Sequence, residues 1–395
     1  MAISKRTWTT PEGRSGSAWE VSYRDQQGKR RRKQFARKRD ADAWLVKARS
    51  EISSGIHTAD SQSITLGDAA DLWLQSCERG RDGRDPVEPH TLRVYRSHVR
   101  LHIKLLIGSE LLSQLTTPKI ANFRDSLLDT RSRAMAKKVL STLKAIITEA
   151  QSRGLVAQNV AKPVSITTAT RHKKRVNIPT KDQVRAIIEK AEELTSDPQP
   201  HIAKAWQRYH PLLLTSVLTG MRASELRGLY WSSVDLKDGT LDVCQRADET
   251  GVIGPVKSGA GRRRITVPPS LARVLREWRL LCPPGDLVFP NWQGKVETHA
   301  NITNRCWYSI CDRCEMATVK RVKKKKRVSP HYTFHALRHF HASMLIASGA
   351  TPKEVQVEMG HSSIQVTFDT YGHLFPEDEA MRVQRAASME AEILG

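Results

Sequence analysis

Apolar positions recur at two different periods along this chain, and the changes of period divide it. Over Trp19-Glu-Val-Ser-Tyr23-Arg24 apolar and polar residues alternate as in a strand with one buried face. Asp25-Gln-Gln-Gly28 reads as a turn, Lys29-Arg-Arg-Arg-Lys33-Gln-Phe35 as a returning strand, and an amphipathic helix follows around Asp40-Ala-Asp-Ala-Trp44-Leu45. Residues 53–63 are polar and read as a connector. Beyond them the helical period takes over: Leu66, Ala69, Ala70 and Trp73 share one face behind a capping box of Thr65 with Asp68. Further helices are expected over 91–103, from Thr117-Pro118 through Leu128, and over 134–151, stopped by Gly154. Residues 161–179, with two prolines and Arg171-His-Lys-Lys-Arg175, read as a flexible linker. Thr180 then N-caps a helix and opens a region of mixed helices and strands, with Gly239-Thr-Leu-Asp-Val-Cys244 and residues 262–268 as strands around a Gly-rich turn. The pattern predicts a mainly α protein with small β-sheets (α+β). Residues 1–60 form a small sheet plus helix, 64–160 a helical bundle, 161–179 a linker and 180–395 a mixed α/β domain.

Charge adds a partner to this outline. The 395 residues hold 64 Lys+Arg against 41 Asp+Glu, a net charge of +23, which suits a polyanion whose counterions are released on binding. Nucleic acid is favoured over an anionic membrane surface. No apolar run approaches the roughly 18 residues of a spanning helix, and the first residues lack a signal-peptide core. The chain therefore reads as soluble, cytoplasmic and DNA-associated, with no membrane partner. Lys29, Arg30, Arg31, Arg32 and Lys33 lie on a predicted strand beside Phe35, which suits reading a DNA groove with a sheet. Arg93, Arg96, Lys137 and Lys138 on the bundle either grip DNA or form a solubilising surface, and Arg171, Lys173, Lys174 and Arg175 on the linker would track phosphates. The basic run over residues 320–327 reads as a disordered, phosphate-contacting loop.

Among the six cysteines, Cys311 and Cys314 fall with Trp307 and Ile310 on one helical face, and no second Cys/His pair has zinc-finger spacing. They read as reduced core cysteines, so neither a metal site nor a cofactor is expected.

Several polar residues together make up a phosphodiester-cleaving set. Such cleavage needs an attacking oxygen, charge for the phosphorane-like transition state and a proton for the leaving oxygen. Arg222, after Thr219-Gly220 at the start of a helix, can supply fixed charge braced by Glu225 three residues on. His335 and Arg338, three apart in a helix starting near Thr333, project from one face. His361 follows Gly360 on a tight turn after a helix capped by Thr351 and Glu354. Tyr371 lies in the polar, glycine-flanked Phe368-Asp-Thr-Tyr-Gly-His373, a segment able to swing, and Lys257 in the predicted hairpin turn can reach a groove as general acid. Each taken singly has an ordinary structural reading, as a surface arginine, a core histidine, a packed tyrosine or a turn lysine.

Taken jointly, the segments Thr219-Gly-Met-Arg222-Ala-Ser-Glu225, His335-Ala-Leu-Arg338-His339, Gly360-His361 and Phe368-Asp-Thr-Tyr371 resemble those of the tyrosine recombinase family, in particular phage-type integrases. The resemblance implies that residues 1–60 bind arm-type DNA sites, 64–160 form the core-binding domain and 180–395 the catalytic domain. It implies Tyr371 as the nucleophile, Arg222, His335, Arg338 and His361 around the phosphate, Lys257 as general acid and Glu225 in support. It further implies strand cleavage and rejoining through a 3′-phosphotyrosyl link and a Holliday junction, integrating or excising a mobile element without a cofactor. The implied partners are double-stranded DNA attachment sites, a homotetramer on DNA, a DNA-bending host factor and a directionality factor. Residues 375–394 resemble the tail that packs on a neighbouring subunit, with a solvated end helix as the alternative. Two other readings stay open: a type IB topoisomerase that reseals one duplex, and a non-catalytic DNA-binding regulator.

Overall fold

The computed structural model describes residues 1–11, 14–25, 28–53, 59–81, 83, 85–167, 176–322, 325–375 and 379–394. The chain forms two compact units, Met1–His172 and Lys173–Gly395. Among the described residues no helix is long and apolar enough to cross a membrane.

The first unit opens with a three-stranded antiparallel sheet of Ala2–Thr9, Ser15–Arg24 and Arg30–Phe35, backed by the helix Lys38–Ser53. Val21, Ala41 and Leu45 are buried between sheet and helix, with Trp19, Phe35 and Trp44 packed around them. The first strand lies outside the sequence-based expectation, because it is almost wholly exposed and shows no apolar alternation; its pairing with the second strand holds it. Strand alternation also divides the basic run, since successive side chains point to opposite faces. Arg31 and Lys33 lie on the helix-facing side. There Arg31 Nε is 2.8 Å from Asp25, and Lys33 Nζ is 2.7 Å from Asp60 and 5.1 Å from the Trp44 ring centroid. Arg30 and Arg32 lie on the open face with Arg6 and Glu20, so the five cations do not form one surface.

In the same unit, helices Leu66–Arg79, Thr117–Thr130 and Arg133–Ser152 pack with a helix that begins as Pro89–His98 and continues through a π turn, Val99–Ile103, into Lys104–Ile107. Trp73, Ile103, Leu127, Leu143 and Ile146 form their core. The Thr65–Asp68 capping box is present, and the helix Thr117–Thr130 is capped by Thr116, one residue ahead of the expected start. Ala161, Val164 and Ile166 are buried in this core, so the expected linker does not begin at residue 161. Arg171, Lys173, Lys174 and Arg175 lie outside the described residues. Arg93, Lys137 and Lys138 are exposed, and Arg96, also exposed, bonds Glu78.

The second unit is built around the helix Pro200–Thr219, against which Lys181–Glu193, Pro269–Leu281 and Ala336–Ala347 pack. A three-stranded sheet of Val234–Asp235, Thr240–Val243 and Arg263–Thr266 lies beside them. The chain between its last two strands pairs again as Gln245–Ala247 with Ile253–Pro255, turning where Asp248 Oδ1 accepts the backbone N–H groups of Thr250 and Val252. The turn therefore lies ahead of Lys257, which follows the returning strand. The cationic segment expected as a disordered loop is instead an antiparallel hairpin, Ala317–Val322 with Lys325–Pro330; residues 323 and 324 are outside the described residues. Its register sets Lys320 opposite Arg327 and Arg321 opposite Lys326, and Lys326 reaches Asp312. Cys306 and Cys311 are buried in the core beside Trp307 and Ile310, and burial pushes both thiols up. The C-terminal helix Glu379–Leu394 presents Met389, Ile393 and Leu394 to solvent.

Candidate active site

Three short segments, the first more than a hundred residues before the other two, are stitched together by side-chain to backbone bonds. Pro200–Thr219 ends at Gly220, whose φ of 59° is left-handed. A Cβ there would stand 2.6 Å from the His341 ring, so glycine is needed for both backbone and space. Arg222 then caps the short helix Ala223–Arg227: its backbone N–H donates to Glu225 Oε2 at 2.9 Å and its Nη1 to Oε1 at 2.7 Å. Glu225 is buried and shared with Arg263, whose Nη2 donates to Oε2 at 2.9 Å. Burial works to raise the Glu225 pKa, but Arg263 and then Arg222 outweigh it and hold the carboxylate below its usual range. Arg263 occupies an inward strand position while Arg264 points out to Asp242; its other N–H groups donate to the Glu358 and Gly261 carbonyls.

His335 caps the helix Ala336–Ala347, and Arg338 lies in its first turn, 3% exposed. Arg338 Nη1 donates to the Gly220 carbonyl at 2.7 Å and Nη2 to the Met359 carbonyl. Pro352–Met359, opened by the Thr351–Glu354 capping box, is closed by Gly360 at φ 60°. The Gly360 carbonyl accepts from Arg222 Nη2 at 3.1 Å. Arg338 therefore binds the turn that precedes Arg222, and Arg222 binds the Gly360 turn next to the Met359 carbonyl that Arg338 holds. Burial and the charge of Arg222 lower the Arg338 pKa to about 9, leaving it charged at neutral pH.

Tyr371 ends the helix Ile364–Tyr371 and is 1% exposed, packed with Ala342, Ile346, Val355 and Met359. The expected swinging segment is thus a docked helix end, and Gly372 has right-handed helical angles that any residue can adopt. The hydroxyl of Tyr371 lies 2.7 Å from His339 Nδ1, and the His361 ring stacks over the tyrosine ring at 6.2 Å. His361 Nδ1 bonds Thr367 Oγ1 at 2.9 Å. Burial raises the Tyr371 pKa to about 12 against the pull of Arg338 and Arg222. Burial, then Arg338, Arg222 and Arg263, lower His361 to about 4. Dense surroundings, then His339, Arg338 and Arg222, take His335 to about 4 as well. Both rings are neutral at pH 7 and can donate or accept a hydrogen bond without adding charge.

The structure brings Arg222, Glu225, His335, Arg338, His361 and Tyr371 into one cluster. Lys257 is exposed on the loop beyond the hairpin, and the foot of that loop packs under the site: a Cβ on Gly360 would lie 3.0 Å from the Ala260 carbonyl. Sequence reasoning missed Arg263, whose only signal was alternate position in a strand of three consecutive arginines, and His339, one helical turn beyond His335 on the face that meets Tyr371. Among the described residues no group of three or more His, Cys, Asp or Glu is placed to hold a metal ion.

Such a cluster, with two fixed positive charges, neutral imidazoles and a sheltered phenol, is suited to covalent chemistry on a phosphate diester. Residues 177–378 match the phage integrase family model. A tyrosine recombinase XerC-like protein of Caldanaerobacter subterraneus subsp. tengcongensis is 27% identical over 385 residues, covering 91% of this chain and 93% of that protein. Among solved structures, the Tn1549 transposon integrase in complex with a circular intermediate DNA superposes with a TM-score of 0.63 at 17% identity, over 83% of this chain and 100% of that one. A lambda integrase tetramer bound to a Holliday junction superposes with a TM-score of 0.56 at 20% identity, over 90% of this chain and 95% of that one. These two likenesses show a shared fold.

Proposed function

The chain belongs to the phage integrase family, and from that premise we propose how its geometry performs site-specific DNA recombination. The Tyr371 oxygen attacks the scissile phosphorus, forming a 3′-phosphotyrosyl bond as the bond to the 5′ oxygen breaks. Arg222 and Arg338 face the non-bridging oxygens, each already oriented by carbonyls and Glu225 and so needing little reorganisation as charge develops. One such donor is typically worth about 2.7–4 kcal/mol. His335 and His361 hydrogen-bond the same oxygens as neutral rings, and Lys257 folds down from its exposed loop to protonate the leaving 5′ oxygen. A 5′-hydroxyl from the partner duplex then attacks the phosphotyrosine and rejoins the strands, conserving the bond energy.

The observation that carries this reading is the exchange of carbonyls between the two arginines, which brings both guanidinium groups and His361 beside one buried tyrosine. The substrate is a pair of double-stranded attachment sites. Residues 1–60 contact arm-type sites through the open sheet face, and residues 64–160 with 180–395 hold the core site. Assembly as a tetramer on a Holliday junction follows the solved lambda integrase complex of similar fold, and the exposed Glu379–Leu394 helix is the segment offered to a neighbouring subunit. A DNA-bending host factor and a directionality factor belong to the same reading.

Covalent trapping tests it. Full-length protein and a Tyr371→Phe control are incubated in EDTA with a nicked suicide duplex from the element's junction and run on a denaturing gel. A DNA-linked band present only with Tyr371 is expected. Its absence with DNA binding intact would favour a non-catalytic regulator, and relaxation without joining of two duplexes would favour a topoisomerase.

A further inference from the structure

We propose that His339 is the general base that takes the Tyr371 proton as the nucleophile attacks. This rests on the phosphotyrosyl reading above and adds the proton acceptor that reading lacks.

The hydroxyl of Tyr371 points at His339 Nδ1 from 2.7 Å, within the range required of a base and its proton. The imidazole is held on three sides: it is anchored in the helix Ala336–Ala347, it meets the His335 ring edge to face at 4.8 Å, and it meets the Tyr371 ring at 5.7 Å. For this transfer the phenol donates its hydrogen to Nδ1, which requires the tautomer with the lone pair on Nδ1 and the hydrogen on Nε2. Burial and the charge of Arg338 lower the His339 pKa, keeping that lone pair unprotonated at neutral pH. Tyr371, raised to about 12, does not ionise there unaided. The other two imidazoles are poorly placed for the task. His361 lies flat over the tyrosine ring with Nδ1 committed to Thr367, and His335 stands beyond His339.

The step balances within the cluster. As the Tyr371 oxygen bonds to phosphorus, its O–H bond breaks and the proton passes to His339 Nδ1; the bond from phosphorus to the 5′ oxygen breaks, and that oxygen takes a proton from Lys257. On rejoining, the imidazolium returns its proton to the departing tyrosine oxygen while Lys257 receives the proton of the attacking hydroxyl.

Asparagine can offer an oxygen near the position of Nδ1 but cannot accept the proton, which separates holding the phenol from deprotonating it. Single-turnover cleavage of the nicked duplex is compared for wild type and His339→Asn. Each is also prepared with a tyrosine analogue at position 371 fluorinated beside the hydroxyl, which gives up its proton more readily and so depends less on a base. His339→Asn is expected to slow cleavage on the order of 10²-fold with DNA affinity and thermal midpoint preserved, and the fluorinated residue to restore most of the loss. Cleavage by His339→Asn at the wild-type rate overturns the proposal, and so does a deficit that the analogue leaves unchanged, which would make His339 a positioning residue. Should the variant fold poorly, nitrogen NMR of histidine-labelled wild type decides instead. The signal that moves in Tyr371→Phe must report hydrogen on Nε2, and hydrogen on Nδ1 overturns the assignment. Failure of wild type itself to form the covalent product would sink the parent reading, an outcome distinct from these.

Discussion

Arginine does opposite work in two parts of this molecule. In the cluster, Arg263 and Arg338 are almost wholly buried and commit their N–H groups to carbonyls and one carboxylate. On the open face of the N-terminal sheet, Arg30 and Arg32 are exposed, and Arg32 shares Glu20 with Arg6 across single, solvent-facing interactions. A buried guanidinium is costly to remove and cannot be redirected; an exposed one is worth little to folding and free to follow a phosphate. Fixed charge is needed at a reacting phosphorus, whereas adaptable charge suffices along a DNA backbone.

The largest effect is expected on the buried side. Replacing Arg263 by Met leaves Glu225 buried with one partner fewer, and the second unit should lose about 3–5 kcal/mol in urea unfolding; a loss comparable to that of an exposed arginine would erase the contrast. Next, Arg338→Lys keeps a charge but not the fork that spans Gly220 and Met359. Single-turnover cleavage should fall by on the order of 10²–10³ while DNA affinity changes little.

A pH series probes the neutral rings beside these arginines. The folded-state pKa of His361 is depressed from 6.5 to about 4, so the unfolded chain binds more protons between those values. The stability that depends on the neutral ring is complete above pH 6.5 and is lost as pH falls toward 4. His335 and His341 are lowered in the same direction and share the window. The urea midpoint should drop between pH 6.5 and 4, and less steeply in His361→Gln; parallel curves would contradict the assignment.

The smallest effect belongs to the surface. Arg30→Ser with Arg32→Ser should reduce the slope of log affinity for arm-site DNA against log salt by about 1 for each phosphate no longer neutralised, with cleavage at saturating DNA unaltered. Arg31→Ser should leave that slope in place, because its guanidinium is tied to Asp25 and Ser61. Equal slopes for both variants would mean that strand alternation does not sort these cations.

Much of the fold is legible in local signals. The capping boxes at Thr65, Thr180 and Thr351 are settled by residues three apart, and the sequence carries them openly. Arg222 and His361 are legible too, because Gly220 and Gly360 mark the turns that present them, and Arg338 through its three-residue spacing from His335. What stays hidden depends on distant partners. His339 gains its role from a tyrosine 32 residues away, and nothing in its own helix distinguishes it from His335 or His341. Arg263 looks like Arg262 and Arg264 until pairing with Thr240–Val243 decides which side is inward. The run near residue 320 reads as a loop because a block of like charges repels itself, yet the hairpin forms across Lys320–Arg327 and Arg321–Lys326.

The carbonyl exchange also limits how this enzyme can be recombined with its relatives. Arg222 depends on the oxygen of Gly360, and Arg338 on that of Gly220. A chimera joined between Arg222 and Arg338 would pair each donor with an acceptor turn drawn from another lineage. Crossovers in that interval should therefore yield proteins that fold and bind DNA but misaim the phosphate, whereas exchanging the N-terminal sheet leaves both turns in their original company.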